Sequence, residues 1–374
     1  MPDSTSPTTA AQNKKIDITT LLVLALLVQR AGSRPCLRIS PALADFFGAE
    51  EVLVLDLTQN PTGAYKVSAA ALQFEAIAGN ILIVGDGALE EAAKREAAGL
   101  KGAETADASS TGNFAAAVSL QAAAYKLDVQ IFMPNAKAVP KEKRRLVKKL
   151  GKGYARAVHV KSSAFDDARA EAAKDAAETG AALLQPYDSA LAVLGNAAGV
   201  VLAAMTGHLH GFDLVVVPDG GGGLGAGIFL ALEAMFISVG ERICSEPAVT
   251  ASLAEAAVKG RPSPVDGAKS LASGANVKLH GSLTWWLLER FHPSACAATE
   301  LEIAQAMIVA REIDGTIWEG AAALSLVPLL RGLGRGKRVL IVHSGANPSA
   351  EEMQEAERLM AESGGIDALK RRLS

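Results

Sequence analysis

One lysine, Lys66, stands where its amine can do covalent chemistry. Residues 61–67 read Pro-Thr-Gly-Ala-Tyr-Lys-Val, a turn between a strand-like run at 51–57 and an alanine-rich helical stretch. A lysine held on a turn between ordered elements has its amine fixed in position, as covalent attack on a carbonyl requires. The segment therefore makes Lys66 the first candidate for a catalytic residue.

A run of four glycines at 220–223 follows a short apolar run and precedes an apolar helical pattern. Backbone N–H groups that converge at a helix N-terminus form an anion site, and glycine lets a phosphate approach closely. The run therefore predicts a phosphate site. The stretch also fits the dinucleotide pattern GxGxxG at Gly220, Gly222 and Gly225, with Glu246 following the next strand, so a dinucleotide oxidoreductase stays open.

Polar residues follow other predicted strands. Residues 109–114 read Ser-Ser-Thr-Gly-Asn-Phe before a helical stretch, and their hydroxyls and amides suit either a helix cap or a substrate carboxylate. Ser344 ends an apolar run and is either a turn residue or a ligand contact. Its neighbour His343 is interpreted as a packed or capping residue. His208 and His210 have no third ligand nearby in the sequence, so no metal site is predicted there.

Composition limits the partners and the surroundings of the chain. The 37 basic and 40 acidic residues leave a formal charge of -3, which gives no general attraction to nucleic acid or anionic membranes, so small molecules are the expected partners. The 3 cysteines lie far apart and favour a reducing compartment, by default the cytoplasm. The apolar run at 21–28 is too short for a bilayer and predicts a buried helix, while residues 1–13 predict a disordered tail.

Short β-type runs alternate with long helical patterns. The runs lie at 52–57, 81–84, 129–133, 157–160, 214–217, 242–244 and 339–342. This alternation predicts an α/β fold with mostly parallel sheets covered by helices. Such sheets carry ligand loops at the carboxyl ends of their strands, where the glycine run and Ser344 are expected. The basic run at 141–149 is interpreted as a solvated helix face.

The lysine turn, the Ser-x-Gly-Asn loop, the glycine run and the Ser-Gly-x-Asn segment occur in an order that resembles the fold-type II pyridoxal-phosphate enzymes. The similarity is greatest to the serine/threonine dehydratase and serine racemase branch, over about residues 34–348. It implies a two-domain, tryptophan-synthase-β-like architecture with the cofactor in the cleft between the domains. Residues 14–79 and 189–374 would form the large cofactor domain, residues 80–188 a small inserted domain, and two chains a homodimer.

The resemblance also implies roles for single residues. Lys66 would form the Schiff base with pyridoxal 5'-phosphate, and Asn113 would hydrogen-bond the ring hydroxyl oxygen. Ser344 would meet the pyridine nitrogen without holding it protonated, which makes the ring a weaker electron sink. The phosphate would be cradled by Gly220, Gly221, Gly222, Gly223 and Leu224. The substrate carboxylate would be bound by Ser110, Thr111, Gly112, Asn113 and Phe114.

The implied reaction is β-elimination from a serine- or threonine-like β-hydroxy amino acid, which gives a 2-oxo acid and ammonia. Lys66 would remove the α-proton as a general base. Thr111 stands where racemases have a catalytic serine, so racemisation stays open. A β-replacement enzyme, a non-catalytic cofactor-binding relative and the dinucleotide oxidoreductase stay open as well.

Several positions depart from the pattern of that branch. Phe114 replaces the His that commonly follows the Asn, which removes a polar group near the substrate. Asp219 replaces an apolar residue and would repel a phosphate dianion unless its carboxylate is paired or turned away. Glu246 matches the metal-binding racemases, but Ser252 stands where they have an Asp, so no metal is predicted. Residues 85–101 form an insertion of unassigned purpose.

Overall fold

The computed structural model describes residues 15–373 except 111, 136–138, 140, 163–164 and 208, so the predicted tail, Thr111 and His208 lie outside the described residues. Six strands form the larger sheet: β1 (Cys36–Ile39), β2 (Glu51–Asp56), β7 (Phe212–Pro218), β8 (Val239–Pro247), β9 (Ser294–Ala298) and β10 (Arg338–His343). Their order is β1-β2-β10-β7-β8-β9. Only the edge strand β1 runs antiparallel to its neighbour among these described strands.

A second sheet of four strands is entirely parallel in the described chain. Its strands are β3 (Thr105–Ser109), β4 (Asp128–Met133), β5 (Ala155–His159) and β6 (Ala182–Leu184), in the order β5-β4-β3-β6. All four come from the segment expected to form the small inserted domain, whose bounds stay a prediction. One apolar cluster contains buried residues of both sheets, such as Ile131 on β4 and Val215 on β7.

Helices cover the sheets, which confirms the predicted α/β class with mostly parallel strands. The helices are α1 (Ile18–Arg30), α2 (Pro41–Phe47), α3 (Lys66–Ile77), α4 (Ala88–Leu100), α5 (Asn113–Tyr125), α6 (Lys141–Gly151), α7 (Phe165–Thr179), α8 (Ala190–Ala204), α9 (Gly223–Ala234), α10 (Ser252–Lys259), α11 (Ser282–Glu289), α12 (Glu300–Glu312), α13 (Gly320–Ala323), α14 (Val327–Leu330), α15 (Ala350–Glu362) and α16 (Gly365–Leu373). Nearly all residues of α3, α8 and α9 are buried, which is typical of helices enclosed on every side.

The central strands are apolar throughout because both of their faces are buried. On β10, Val339 and Ile341 belong to one apolar cluster, while Leu340 and Val342 belong to another. Successive side chains of a strand point to opposite faces, so each central strand contributes to the core on both sides of the sheet. The continuous apolar runs seen in the sequence follow from this double burial.

The prediction of a strand at 81–84 is wrong. These residues form neither a strand nor a helix, and Leu82 and Val84 are 59% and 49% exposed. The backbone amides of Val84 and Gly85 donate to the hydroxyl of Thr20 at 3.2 and 3.0 Å. An apolar run is therefore not sufficient for a strand when no neighbouring strand offers its backbone.

The apolar run at 21–28 lies within helix α1, as predicted, but the helix is not buried on all sides. Leu21, Leu24 and Val28 are fully buried, whereas Leu22 and Leu26 are 44% and 60% exposed. In the part of the chain that the structure describes, no helix combines the length and apolarity needed to cross a bilayer.

The predicted insertion at 85–101 consists mainly of α4, and it supports the start of α8. Glu96 on α4 accepts a hydrogen bond from the hydroxyl of Ser189, the N-cap residue of α8, at 2.5 Å. It also accepts one from the amide of Leu191 at 3.3 Å. Because α8 packs against α3, which begins at Lys66, the inserted helix helps to fix the helix that carries the lysine.

Gly195 on α8 lies where α8 approaches α3 closely. A Cβ atom there would lie 2.3 Å from the carbonyl oxygen of Ser68 on α3. We expect Gly195→Ala to destabilise the protein by about 1–3 kcal/mol, because two backbones must move apart. Its matched control is Gly99→Ala on α4, where a Cβ would meet nothing within 4 Å and a helical alanine should add up to about 1 kcal/mol.

Denaturant unfolding of the two variants beside the parent chain measures both effects. The expected result is a lower midpoint for Gly195→Ala and an equal or higher midpoint for Gly99→Ala. Equal midpoints for the two variants would contradict the close packing of α3 on α8.

Candidate active site

The carboxyl ends of three neighbouring strands meet at one cleft. Strand β10 pairs in parallel with both β2 and β7, so the segments that follow these strands emerge side by side. The lysine turn follows β2, Ser344 follows β10 and the glycine run follows β7. The cleft is lined by Tyr65, Lys66, Tyr187, Pro218, Asp219, Gly220, Gly221, Gly222, Gly223, Leu224, Gly274, Ala275, Val277, Ala321 and Ser344.

Backbone hydrogen bonds fasten the lysine turn to the end of β10. The amide of Tyr65 donates to the carbonyl of Ser344 at 3.0 Å, and the amide of Ala346 donates to the carbonyl of Gly63 at 2.9 Å. The side-chain amide of Asn347 donates to the carbonyl of Thr62 at 2.7 Å. The position of Lys66 is therefore set by the strand that also carries Ser344.

Lys66 as a whole is half-buried, and its amine is withdrawn from water within the cleft. Its Nζ donates to the carbonyl oxygen of Pro186 at 2.7 Å and lies 4.7 Å from the ring centroid of Tyr65. Burial lowers the pKa of Lys66 to about 7, although the carboxylates of Glu319 and Asp219 act in the opposite direction. A lysine amine with this pKa is largely unprotonated just above neutral pH and can act as a nucleophile or a base.

The glycine turn presents its backbone N–H groups to the cleft. Its carbonyls are bonded elsewhere: Gly221 O accepts from the Thr284 hydroxyl at 2.6 Å, Gly222 O from the Ala226 amide at 2.9 Å and Gly223 O from the Asn196 side chain at 2.9 Å. In a planar trans peptide the N–H points opposite to the C=O. The N–H groups of residues 222–224 therefore face away from these partners, at the N-terminus of α9.

The turn has no room for side chains. A Cβ atom on Gly221 would lie 2.3 Å from the Tyr187 ring, and one on Gly220 would lie 2.9 Å from Ala275 Cα. Gly222 has a φ of 86°, a left-handed conformation that favours glycine. This cradle of N–H groups beside a buried amine fits a cofactor that carries a phosphate and an aldehyde.

The predicted substrate loop lies at the start of α5. The hydroxyl of Ser110 accepts from the amides of Gly112 and Ala115 at 3.2 and 2.9 Å, so it shapes the turn. The Phe114 side chain is buried in the core. Asn113 begins the helix, and its side chain donates to Glu319 Oε1 at 2.7 Å. Thr111 lies outside the described residues, and the substrate roles of this loop stay a prediction.

Two charged residues at the loop were not assigned a role from the sequence. Glu319 is buried beside Asn113, and burial raises the pKa of its carboxyl group despite the nearby Lys143. Lys143, on the basic helix α6, reaches across the loop to within 3.5 Å of the Ser273 hydroxyl. Lys143 belongs to the basic run interpreted from the sequence as a solvated helix face, and no local pattern in the sequence connects either residue with the loop.

The residues around Glu246 show no metal-binding arrangement. Its carboxylate accepts from the amides of Leu253 and Ala254, both at 2.8 Å, and thus caps helix α10. Within the described ranges, no group of three or more His, Cys, Asp and Glu side chains could hold a metal ion. His343 is packed as expected, with its ring stacked on Trp318 at a centroid distance of 4.5 Å.

Comparisons with known proteins agree with this geometry. The family described as "Pyridoxal-phosphate dependent enzyme" matches residues 29–345. L-threonine ammonia-lyase of Thermotoga maritima is 30% identical over 318 residues, which are 84% of this chain and 71% of that protein. Biosynthetic L-threonine dehydratase of Corynebacterium glutamicum is 31% identical over 265 residues, 69% of this chain and 59% of that protein.

Solved structures share the fold at lower sequence identity. Maize serine racemase superposes with a TM-score of 0.73 at 19% identity, covering 94% of this chain and 99% of its own. The L-serine ammonia-lyase of Rhizomucor miehei gives a TM-score of 0.69 at 18% identity, covering 87% and 99%. The dinucleotide alternative for the glycine run is thereby set aside. The chain belongs to the pyridoxal-phosphate dependent enzymes, in the serine/threonine dehydratase branch of fold type II.

Proposed function

We propose that the chain is an ammonia-lyase that performs β-elimination on a serine- or threonine-like β-hydroxy amino acid. The observation that carries the proposal is one cleft in which a buried amine, a glycine cradle and the Ser344 hydroxyl lie together. Relatives that match most of this chain, or about two thirds of it, are named L-threonine ammonia-lyase and L-threonine dehydratase.

Three parts of the cleft would hold the cofactor. The amine of Lys66 would hold its aldehyde covalently, the N–H groups of the glycine turn its phosphate, and the Ser344 hydroxyl its ring nitrogen. The bound cofactor supplies an electron sink for negative charge at the substrate α-carbon. Because a serine hydroxyl does not keep a ring nitrogen protonated, this site suits loss of a β-substituent.

Lys66 would accept the proton from the α-carbon of the substrate. Its Nζ, with a pKa near neutrality, accepts the proton from the substrate α-carbon most efficiently close to physiological pH. The carbonyl of Pro186 holds the amine at the cleft by the 2.7 Å hydrogen bond. The β-hydroxy amino acid first loses one water and later takes up one water. The net products are one 2-oxo acid and one ammonia.

The start of α5 would bind the substrate carboxylate. The amides of the first turn and the positive end of the helix dipole attract an anion. Glu319 accepts from the side-chain amide of Asn113, and Asn347 donates to the Asn113 oxygen at 3.1 Å, so Asn113 is held from both sides. The Phe114 side chain is buried in the core, so the loop lacks the polar side chain that the resembled branch commonly has at this position.

The proposal also includes the cellular compartment and the oligomeric state. All three cysteines, Cys36, Cys244 and Cys296, are free thiols, which supports a reducing compartment such as the cytoplasm. A homodimer is the assembly that the family resemblance implies.

Replacing Lys66 with Ala should abolish turnover. An amino-acid panel that contains L-serine and L-threonine, read at once for the cofactor absorption spectrum and for 2-oxo acid release, measures the loss. The exposed Lys149 on α6 provides the matched control, since Lys149→Ala should keep the parent rate. We expect a fall of more than about 10³-fold for Lys66→Ala, the range typical of a lost general base and nucleophile.

Products distinguish elimination from racemisation and β-replacement. Release of a D-amino acid without 2-oxo acid would assign a racemase, and product formation only with an added nucleophile would assign β-replacement. An unchanged spectrum across the panel would assign a non-catalytic relative. Each of these results would overturn the proposed elimination.

The lowered pKa of Lys66 gives a pH prediction for the cofactor-free chain. The amine is reactive only when it is unprotonated, so its acetylation by acetic anhydride should rise with a midpoint near pH 7. Surface lysines, with an ordinary pKa of about 10.4, should need a much higher pH. Peptide mass spectrometry measures the acetylation of Lys66 and of the surface lysines in one sample. A pH profile of Lys66 acetylation that coincides with that of the surface lysines would refute the withdrawal of its amine from water.

A further inference from the structure

A buried acid and base lie beneath the glycine turn. Asp219 directly precedes the turn, and His280 precedes helix α11; they are 2% and 1% exposed. Asp219 Oδ2 lies 3.2 Å from His280 Nε2. Both carboxylate oxygens and Nε2 are buried and have no hydrogen-bond partner among the described residues, so this 3.2 Å approach is the polar contact that the structure gives them.

The imidazole touches the turn itself. A Cβ atom on Gly222 would lie 2.2 Å from His280 Cε1 and 2.7 Å from its Nε2. Asp219 lines the cleft together with the glycines. Any change in the charge of this pair therefore changes the electrostatic potential at the proposed phosphate position.

The contacts of the imidazole favour a proton between the two side chains. His280 Nδ1 lies 3.3 Å from the carbonyl oxygen of Gly281, which can only accept a hydrogen bond. With Nδ1 protonated toward that oxygen, an unprotonated Nε2 would turn its lone pair toward the Asp219 carboxylate. Two lone pairs at this distance repel each other, so with Nδ1 protonated a further proton lies between the two groups and the net charge of the pair is zero.

We propose that the Asp219–His280 pair is a charge-balancing layer under the phosphate turn, and that its shared proton sets the affinity for the cofactor phosphate. The inference rests on the proposed cofactor site. With the proton present, the pair is neutral and the N–H groups of the turn attract the phosphate. Without it, a buried carboxylate remains uncompensated beside a phosphate dianion.

Other charged groups face the pair from the surrounding elements. Glu246 on β8 lies close enough to be affected by Asp219, and burial first and Asp219 second raise the pKa of Glu246 to about 7. Burial and the same two carboxylates raise the pKa of the Cys244 thiol, which keeps it neutral. The Asp188 carboxylate accepts from the amides at the start of α11, and the Lys66 amine and the Tyr65 hydroxyl are close enough to interact with the charge of Asp219.

These neighbours fix the sign of the pH dependence. Burial alone would lower the pKa of His280, but the charge of Asp219 outweighs it and the pKa is raised. The shared proton is therefore lost as the pH rises through a pKa above the ordinary histidine value. Cofactor affinity should fall as the pH rises through that pKa.

The test compares the affinity of the full-length apoprotein for pyridoxal 5'-phosphate and for pyridoxal, which lacks the phosphate. His280→Gln leaves Asp219 uncompensated and should weaken pyridoxal 5'-phosphate binding about tenfold or more, with little change for pyridoxal. The double variant His280→Gln with Asp219→Asn removes both charges and should restore the affinity. Equal weakening for both ligands, no weakening, or no rescue in the double variant would overturn the inference.

A second measurement covers the case in which His280→Gln does not fold. Asp219→Asn carries no carboxylate to be left uncompensated, so its phosphate-dependent affinity should lose the decline with rising pH that the parent chain shows. Identical pH profiles in the two proteins would overturn the inference. Absence of pyridoxal 5'-phosphate binding at Lys66 in the parent chain would instead refute the proposed cofactor site, which separates the two failures.

Discussion

The parallel pairing of β10 between β2 and β7 is the constraint on which the site depends. Residues far apart in the sequence, Lys66, Ser344 and the glycine run, become neighbours only because the carboxyl ends of these strands coincide. The pairing is stabilised by apolar side chains on both faces of the sheet, so the core and the site are two results of one register. A one-residue slip of β10 would turn its core side chains to the wrong faces and displace Ser344 from the lysine turn.

The cleft contains charges that depend on one another. Asp219 and Glu319 both favour protonation of Lys66, while burial opposes it. The balance of these effects gives the amine a pKa of about 7. His280 pairs with Asp219, and Asn113 donates to Glu319, so each carboxylate at the cleft has its own partner. Such an arrangement lets an amine beside two acidic side chains lose its proton near neutral pH, which an isolated lysine on the surface could not do.

The sequence predicted the parts of the site that rest on local chemistry. Glycines between a strand and a helix, and a lysine on a turn, can be recognised from the residues next to them in the sequence. The family comparisons agree with the cofactor inferred from these residues. Strands such as Thr105–Ser109 and Ser294–Ala298 were not predicted because they consist of Ala, Ser, Thr and other small residues with little β signal. The run at 81–84 shows the opposite case, an apolar segment without a neighbouring strand.

Contacts between distant segments could not be predicted in the same way. The sequence raised the question of how Asp219 is tolerated near a phosphate, but its partner, His280, lies 61 positions away (280 − 219) and no local pattern connects them. Glu319 and Lys143 likewise reach the substrate loop from elements that only the tertiary structure brings there.

The covalent attachment point of the cofactor tests the account most directly. The holoenzyme is reduced with sodium borohydride, digested and analysed by peptide mass spectrometry. The account predicts a phosphopyridoxyl mass on the peptide that contains Lys66 and on no other lysine. A tag on a different lysine, or no tag in a protein shown to have been loaded with the cofactor, would contradict it.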